Sequence, residues 1–218
     1  MDPRLGWMAE TTSPEPLADD PPDRRRRRHE ETKKEILEAA WALAARDGVG
    51  ALSLRELADA VGMKAPSLYT YFGSKEAIYD AMFAQGWRAL GERFERMESH
   101  PTPDDPFKAE AREFYVFCTE DPARYQLMFQ RPMPDFEPSS ESYASSVEVF
   151  EGLRRRFATR GIEDSDAIEL WTLLMTGITA RQIANDPEGD RYAHHLEGLV
   201  DMYLAHIQPR THPKRRDQ

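Results

Sequence analysis

The run SLRELADAVGMKAPSLYTYFGSK, Ser53 to Lys75, constrains this chain more than any other. Ser53 is a good N-cap, and Glu56 follows three residues later, which completes a capping box. Leu54, Leu57, Ala58 and Val61 recur at helical spacing and form one apolar stripe. Gly62 comes directly after the stripe, where a left-handed residue ends a helix. A second helix is predicted to start near Ala65–Pro66, since proline is tolerated in a first turn. Leu68 and Phe72 are its inward positions, and Ala58 is small where two helices would cross. Helix, tight glycine turn and helix at this spacing are the pattern of a helix-turn-helix, whose second helix enters the major groove of DNA.

The polar residues of the run agree with that reading. Gly62 to Lys75 holds two lysines and no acid, and Ser67, Tyr69, Thr70 and Tyr71 add hydroxyl donors. Lysines, hydroxyls and helix N-termini are the groups that hold phosphate oxygens. The bland alternative is a helical hairpin with an ordinary solvated face.

A net charge of −10 looks wrong for a nucleic-acid binder until its distribution is read. Residues 1–23 carry −5, residues 24–75 carry +4, and residues 76–218 carry −9. The basic segment is the one that holds the helix-turn-helix, and a local basic face matters more to DNA than the total. Arg24 to Arg28 is a run of five arginines just ahead of it. Either it is a solvated charged arm, or it follows phosphates or enters the minor groove. The single cysteine, Cys118, excludes an internal disulfide framework and any multi-cysteine metal site. No apolar run approaches the ~18 residues of a membrane span, and the N-terminus lacks a signal-peptide pattern. A cytoplasmic protein with no membrane partner is expected.

Along the chain, residues 1–23 are rich in Pro, Asp and Glu and are expected to be disordered. A first helix is predicted from about Glu30 to Arg46, with Ile36, Leu37, Ala40, Trp41 and Ala44 inward. A fourth runs from Lys75 to about Glu98, capped by Ser74, and links the DNA-reading part to the rest. HPTPDDP at His100–Pro106 is a breaker. Helices are then predicted at Phe107–Glu120, from Pro122 through Phe129, at Glu141 to about Thr159, from Asp164 to about Asn185, and at Gly189–Ile207. The helix ending near Asn185 is apolar almost all round and needs cover on more than one side.

The segment Thr32 to Phe83 resembles the DNA-binding domain of TetR-type transcriptional repressors. The resemblance rests on Leu54-Arg55-Glu56-Leu57-Ala58, Val61-Gly62, Ser67-Leu68-Tyr69-Thr70-Tyr71-Phe72 and Ser74-Lys75-Glu76. Lys64 departs from it, standing where the family more often has a small hydroxyl residue. The second half is similar, more weakly, to the effector domains of one TetR subgroup, through Phe114-Tyr115-Val116-Phe117, Asp121-Pro122-Ala123-Arg124-Tyr125 to Phe129, and Trp171 with Gly177. Thr176 stands where that subgroup often has histidine. The fold implied is all-α: an N-terminal three-helix DNA-binding domain with a helix-turn-helix, and a C-terminal helical bundle for effector binding and dimerisation. The expected division is a basic-ended arm at 1–29, the DNA-binding domain at 30–76, the effector and dimerisation domain at 77–207, and a flexible basic tail at 208–218.

On this reading Ser53, Arg55, Ser67, Tyr69, Tyr71 and Lys75 meet phosphates of double-stranded DNA, and Lys64, Pro66 and Thr70 lie near base edges. The resemblance implies a pocket for a small, largely apolar effector, with Phe114, Phe117, Cys118, Tyr125, Met128, Phe129, Tyr143, Trp171 and Met175 as candidates. Each of these is equally at home in a plain core. A homodimer suits a palindromic operator, with Gly177, Ala180, Leu196, Leu199, Val200 and Tyr203 at the interface. No cofactor, metal or catalytic residue is expected. The six histidines form no metalloprotease motif, and no phosphate loop or nucleophile elbow is present. The competing class is a helical adaptor that uses the helix-turn-helix for packing only.

Overall fold

The computed structural model of the chain describes residues 21–100 and 103–207. Among them are nine α-helices, two single 3₁₀ turns and no strand. Of the residues 1–23 expected to be disordered, 1–20 lie outside the described residues, as do the tail from 208 and residues 101 and 102 of the breaker, whereas 21–23 are helical.

Helix α1 spans Pro21–Asp47 and so begins nine residues before the predicted Glu30. The Arg24–Arg28 run is therefore helical and continuous with α1, not an irregular arm. Proline fits the first turn, Asp23 there complements the helix dipole, and arginine is a good helix former. Ile36, Ala40 and Ala44 are almost fully buried, as their spacing predicts.

A 3₁₀ turn, Val49–Ala51, leads into α2 (Leu54–Ala60) and α3 (Ala65–Leu68). Helix α4, Lys75–Ser99, then runs out of this group, and Ser74 Oγ caps it by accepting the Ala77 N–H at 3.1 Å. Tyr79 on α4 donates its hydroxyl to the Val49 carbonyl at 2.8 Å, and burial pushes its pKa up to about 12.

Beyond α4 come α5 (Pro106–Glu120), α6 (Pro122–Phe129), α7 (Ser140–Ala158), α8 (Ser165–Asn185) and α9 (Leu196–Ile207). Their starts are set chemically: Asp105, Asp121, Ser139 and Asp164 each accept a first-turn N–H through the side chain. Helix α7 lies along α4 and meets α8 through side chains such as Phe157 on Trp171, whereas α5 packs closely on both α8 and α9. Asp80 on α4 pins the start of α7, accepting from the Ser139 N–H at 2.7 Å, the Ser139 hydroxyl at 2.8 Å and the Ser142 hydroxyl at 2.7 Å.

The last helix is shorter than predicted. Residues 189–192 are not helical, and a 3₁₀ turn at Ala193–His195 precedes α9. Buried Gln182 explains this. Its amide N–H₂ donates to the Gly189 carbonyl at 2.8 Å and to the Asp186 carbonyl, while its oxygen accepts the Tyr192 N–H at 2.9 Å. Asp186 also accepts the Arg191 N–H at 3.0 Å. Side chains thus satisfy the backbone groups that a longer helix would have paired.

The core has two clusters. The first joins residues of α1–α4 to Phe117 and Cys118 of α5 and to Tyr125, Leu127 and Met128 of α6. The second joins Phe107, Ala111 and Tyr115 of α5 to α7, α8 and α9. Burial drives the pKa of the Cys118 thiol upward, as befits an inert core cysteine.

Candidate functional site

The helix-turn-helix is closed by two backbone bonds. Gly62 has φ +68°, the Met63 N–H donates to the Ala58 carbonyl at 2.8 Å, and the Gly62 N–H donates to the Asp59 carbonyl at 3.2 Å. This pair is the Schellman motif, and it fixes the direction in which the chain leaves α2. Ser53 Oγ accepts the Glu56 N–H at 3.4 Å and opens the same helix. Helix α3 holds Pro66 in its first turn, and hydrogen-bonded turns carry it on through Tyr71. Leu57, Ala58 and Leu68 are buried beneath.

Six of the nine residues expected at DNA are exposed: Arg55, Lys64, Pro66, Ser67, Tyr69 and Thr70. Tyr69 is 56% exposed, high for an aromatic ring. Ser53, Tyr71 and Lys75 are half-buried. Tyr71 stacks on His29 of α1, with ring centroids 4.7 Å apart, and Lys75 Nζ lies 5.4 Å from the centre of the Tyr79 ring. Lys33 of α1 lies over Phe72 in the same way, at 5.7 Å. The arginine-bearing end of α1 therefore adjoins the last turn of the reading element.

The second feature is an apolar cavity of about 70 Å³ between α4, α5, α7 and α8. Phe114, Phe129, Trp171 and Met175, expected at a pocket, all line it. Trp87, Leu90 and Phe94 of α4 and Val149, Phe150 and Leu153 of α7 complete the apolar wall, and none of these six is marked by the sequence as more than plain core. The other five candidates are elsewhere. Phe117, Cys118, Tyr125 and Met128 belong to the first core cluster, and Tyr143 is 56% exposed on α7. The lining carboxylate, Glu110, is buried and accepts from Arg156 Nε at 3.0 Å and Arg160 Nη1 at 2.7 Å.

Of the residues expected at a dimer interface, Gly177 is exposed, and Ala180 and Leu199 are half-buried. Leu196, Val200 and Tyr203 are enclosed within the protomer's own second cluster. Tyr203 also donates to the Ala167 carbonyl at 3.0 Å, which anchors α9 to α8. Leu173 and Met202 are 62% and 55% exposed, and the sequence pattern does not single them out. Among the described residues no group of His, Cys, Asp and Glu could hold a metal ion, and no helix is long and apolar enough to cross a membrane.

Residues 36–82, the segment that builds this helix-turn-helix, match the family described as bacterial regulatory proteins, tetR family. That segment, and not the whole chain, carries the family match. Solved structures reproduce the fold of this chain over most of its length. A protein of unknown function from Rhodococcus sp. RHA1 is 20% identical, with TM-score 0.67, covering 80% of this chain and 93% of that one. FadR from Bacillus subtilis, in complex with stearoyl-CoA, is 17% identical, with TM-score 0.57 and coverage of 80% and 99%. A TetR variant from Acinetobacter baumannii AYE, in complex with minocycline, is 20% identical, with TM-score 0.55 and coverage of 80% and 94%. At such identities the likeness is one of fold. No curated protein sequence matches the chain.

Proposed function

We propose that this chain is a one-component transcriptional regulator that represses from a palindromic operator as a homodimer and is released by a small, largely apolar effector. The observation that carries the reading is the Schellman-closed helix-turn-helix, which offers Lys64, Pro66, Ser67, Tyr69 and Thr70 to solvent without an acid between residues 62 and 75. On it, Ser53, Arg55, Ser67, Tyr69, Tyr71 and Lys75 hold phosphates, and Lys64, Pro66 and Thr70 read base edges. The helical Arg24–Arg28 turns extend the phosphate contacts. The DNA-reading part ends near residue 76, at the start of α4, and the remainder to 207 senses and dimerises.

The effector side is supported by the apolar cavity against α4 and by the structures of FadR in complex with stearoyl-CoA and of a TetR variant in complex with minocycline. Dimerisation uses the exposed face of α8 and α9 around Gly177, Ala180 and Leu199. In that dimer the two reading elements must match the groove repeat, ~34–36 Å, and the effector acts through its differential affinity for matched and mismatched arrangements.

A gel-shift titration on the DNA flanking the gene tests this. Lys75→Ala should weaken binding about equally on all sequences and reduce the salt slope by about 1. Thr70→Ala should instead change base preference, by ~1–3 kcal/mol at the contacted position. A wild-type protein that shifts all DNA alike, or none, sinks the reading and leaves the adaptor.

A further inference from the structure

The polar groups around the α4–α8 cavity are satisfied, with one exception. Thr172 Oγ1 donates to the Glu169 carbonyl at 2.7 Å, and Thr176 Oγ1 donates to the Thr172 carbonyl at 2.7 Å. Glu110 is held by Arg156 and Arg160. As it stands the cavity wall is wholly apolar, and the one unsatisfied donor among its lining residues lies behind that surface. The exception is Trp87, whose residue is 4% exposed and whose indole N–H has no acceptor. A buried donor without a partner is costly, and native structures rarely keep one idle. Among the described residues two other buried polar atoms lack a hydrogen bond, but neither belongs to a residue lining this cavity. One is the Tyr115 hydroxyl, in the second cluster. The other is Arg156 Nη2, which stands 3.0 Å from the Glu110 carboxylate.

At about 70 Å³ the cavity holds little more than two waters. Ligand sites occupy ~300–1,000 Å³, so a wall has to move. Phe150 is the wall residue to move. It is 38% exposed, and its ring centroid lies 5.5 Å from that of Trp87. It sits on α7, which is packed on α4 and meets α8 through the side chain of Phe157, seven residues further on. Tyr143 and Val147 precede it on the same stripe, 56% and 45% exposed, and make the approach apolar.

We infer that Trp87 is the ligand-anchoring donor of this cavity. Its ligand is an uncharged, mainly apolar molecule with a hydrogen-bond acceptor of the carbonyl type, which reaches Trp87 as Phe150 swings aside. A charged ligand is disfavoured because the wall is apolar and the one lining carboxylate, Glu110, is already paired with Arg156 and Arg160, with Glu98 on Arg156 completing a neutral group. This rests on the reading of the cavity as the effector site and adds the ligand class and the residue that selects it. Trp87 stands on α4, the helix that starts directly after the reading element, so its contact lies on the path to the DNA side.

The test uses the full chain without DNA and three probes of similar size: acetophenone, ethylbenzene and benzoate. Acetophenone should bind saturably and move the Trp87 indole proton resonance, identified by its absence in Trp87→Phe. Ethylbenzene should bind without moving it, and benzoate should not bind. Trp87→Phe keeps an aromatic ring and loses the donor. It should weaken acetophenone about tenfold and change ethylbenzene by no more than about twofold. Equal effects of Trp87→Phe on both neutral probes would overturn the inference. So would an unmoved indole signal at saturation, or no saturable binding of acetophenone. The wild-type resonance decides the matter even if the variant folds poorly. Failure to find an operator would count against the regulator reading and leave these results standing.

Discussion

The two core clusters divide α5 between them, and they are built differently. The first depends on very short helices: α2 has seven residues and α3 has four. Helices of that length are marginal alone in water, since isolated helices need ~12–15 residues. They persist because Leu57, Ala58 and Leu68 are buried against α1 and α4, in a cluster that continues into α5 and α6. Arg124 of α6 strengthens the junction, lying 5.7 Å from the Trp41 ring of α1 and 5.1 Å from the Phe117 ring of α5, with its partner Asp121 at 2.9 Å. Gly86 makes room there, since a Cβ at that position would stand 2.8 Å from Met128 Sδ. The second cluster draws on long helices and interlocked rings. Phe157 is edge-on to Phe107 at 5.2 Å and to Trp171 at 5.3 Å. The reading helices thus borrow rigidity from the sensing half, while the second cluster borrows nothing from them.

The largest effect separates the clusters. Phe157 is fully buried, and Phe157→Ala should cost about 3–5 kcal/mol in a denaturant titration. Slow amide exchange in α8 and α9 should be lost well before that in α2 and α4. If all four helices lose protection together, the clusters are one cooperative unit and the distinction fails.

The borrowing has its own test. Leu127 on α6 is 3% exposed and belongs to the first cluster. Leu127→Ala should cost about 3 kcal/mol and should lower DNA affinity at temperatures where the protein is still folded. Unchanged affinity with the stability loss would mean that α6 supports the fold without steadying the reading helices.

Much of this arrangement is legible locally. Ser53, Gly62, Ser74 and Gly161 mark helix ends because capping and left-handed turns depend on a few adjacent residues. Gly48, Gly62 and Gly161 are the described residues with positive φ, and each follows a predicted helix. The early start of α1 is also a local matter, but Pro21-Pro22-Asp23 has the composition of a loop as much as that of a first turn. The cavity is legible only in part. Trp87 and Phe150 have the same helical spacing as core residues, and spacing does not say whether the space in front of a ring is filled. Phe117, Cys118, Tyr125 and Met128 share α5 and α6 with lining residues yet belong to the first cluster, although the Tyr125 hydroxyl also donates to the Thr176 carbonyl of α8 at 2.9 Å. Leu196, Val200 and Tyr203 show a further limit. An apolar stripe requires cover, and whether the cover is the same chain or a second copy depends on the docking of α5 and α8, far away in sequence.

The smallest effect contrasts two glycines in the two regions. Gly62 has φ +68°, and a methyl group added there would find nothing within 4 Å, so Gly62→Ala meets strain and no clash. An L-residue in that conformation costs roughly 1–2 kcal/mol, and the unfolded-state entropy gain returns ~0.4–1 kcal/mol of it. The net is a destabilisation of about 1 kcal/mol, concentrated at the Schellman bonds that aim α3. Gly177 also has open space around it, but it sits in the interior of α8 with no positive φ. There the same substitution removes backbone freedom that helix formation must otherwise restrict, and Gly177→Ala should stabilise by about 0.5–1 kcal/mol. Thermal melts of the two variants should therefore shift in opposite directions from wild type. A shift in the same direction would show that Gly62 relaxes out of its left-handed conformation when methylated, and that the angle between α2 and α3 is set by the packing of Leu57 and Leu68 instead of by the turn.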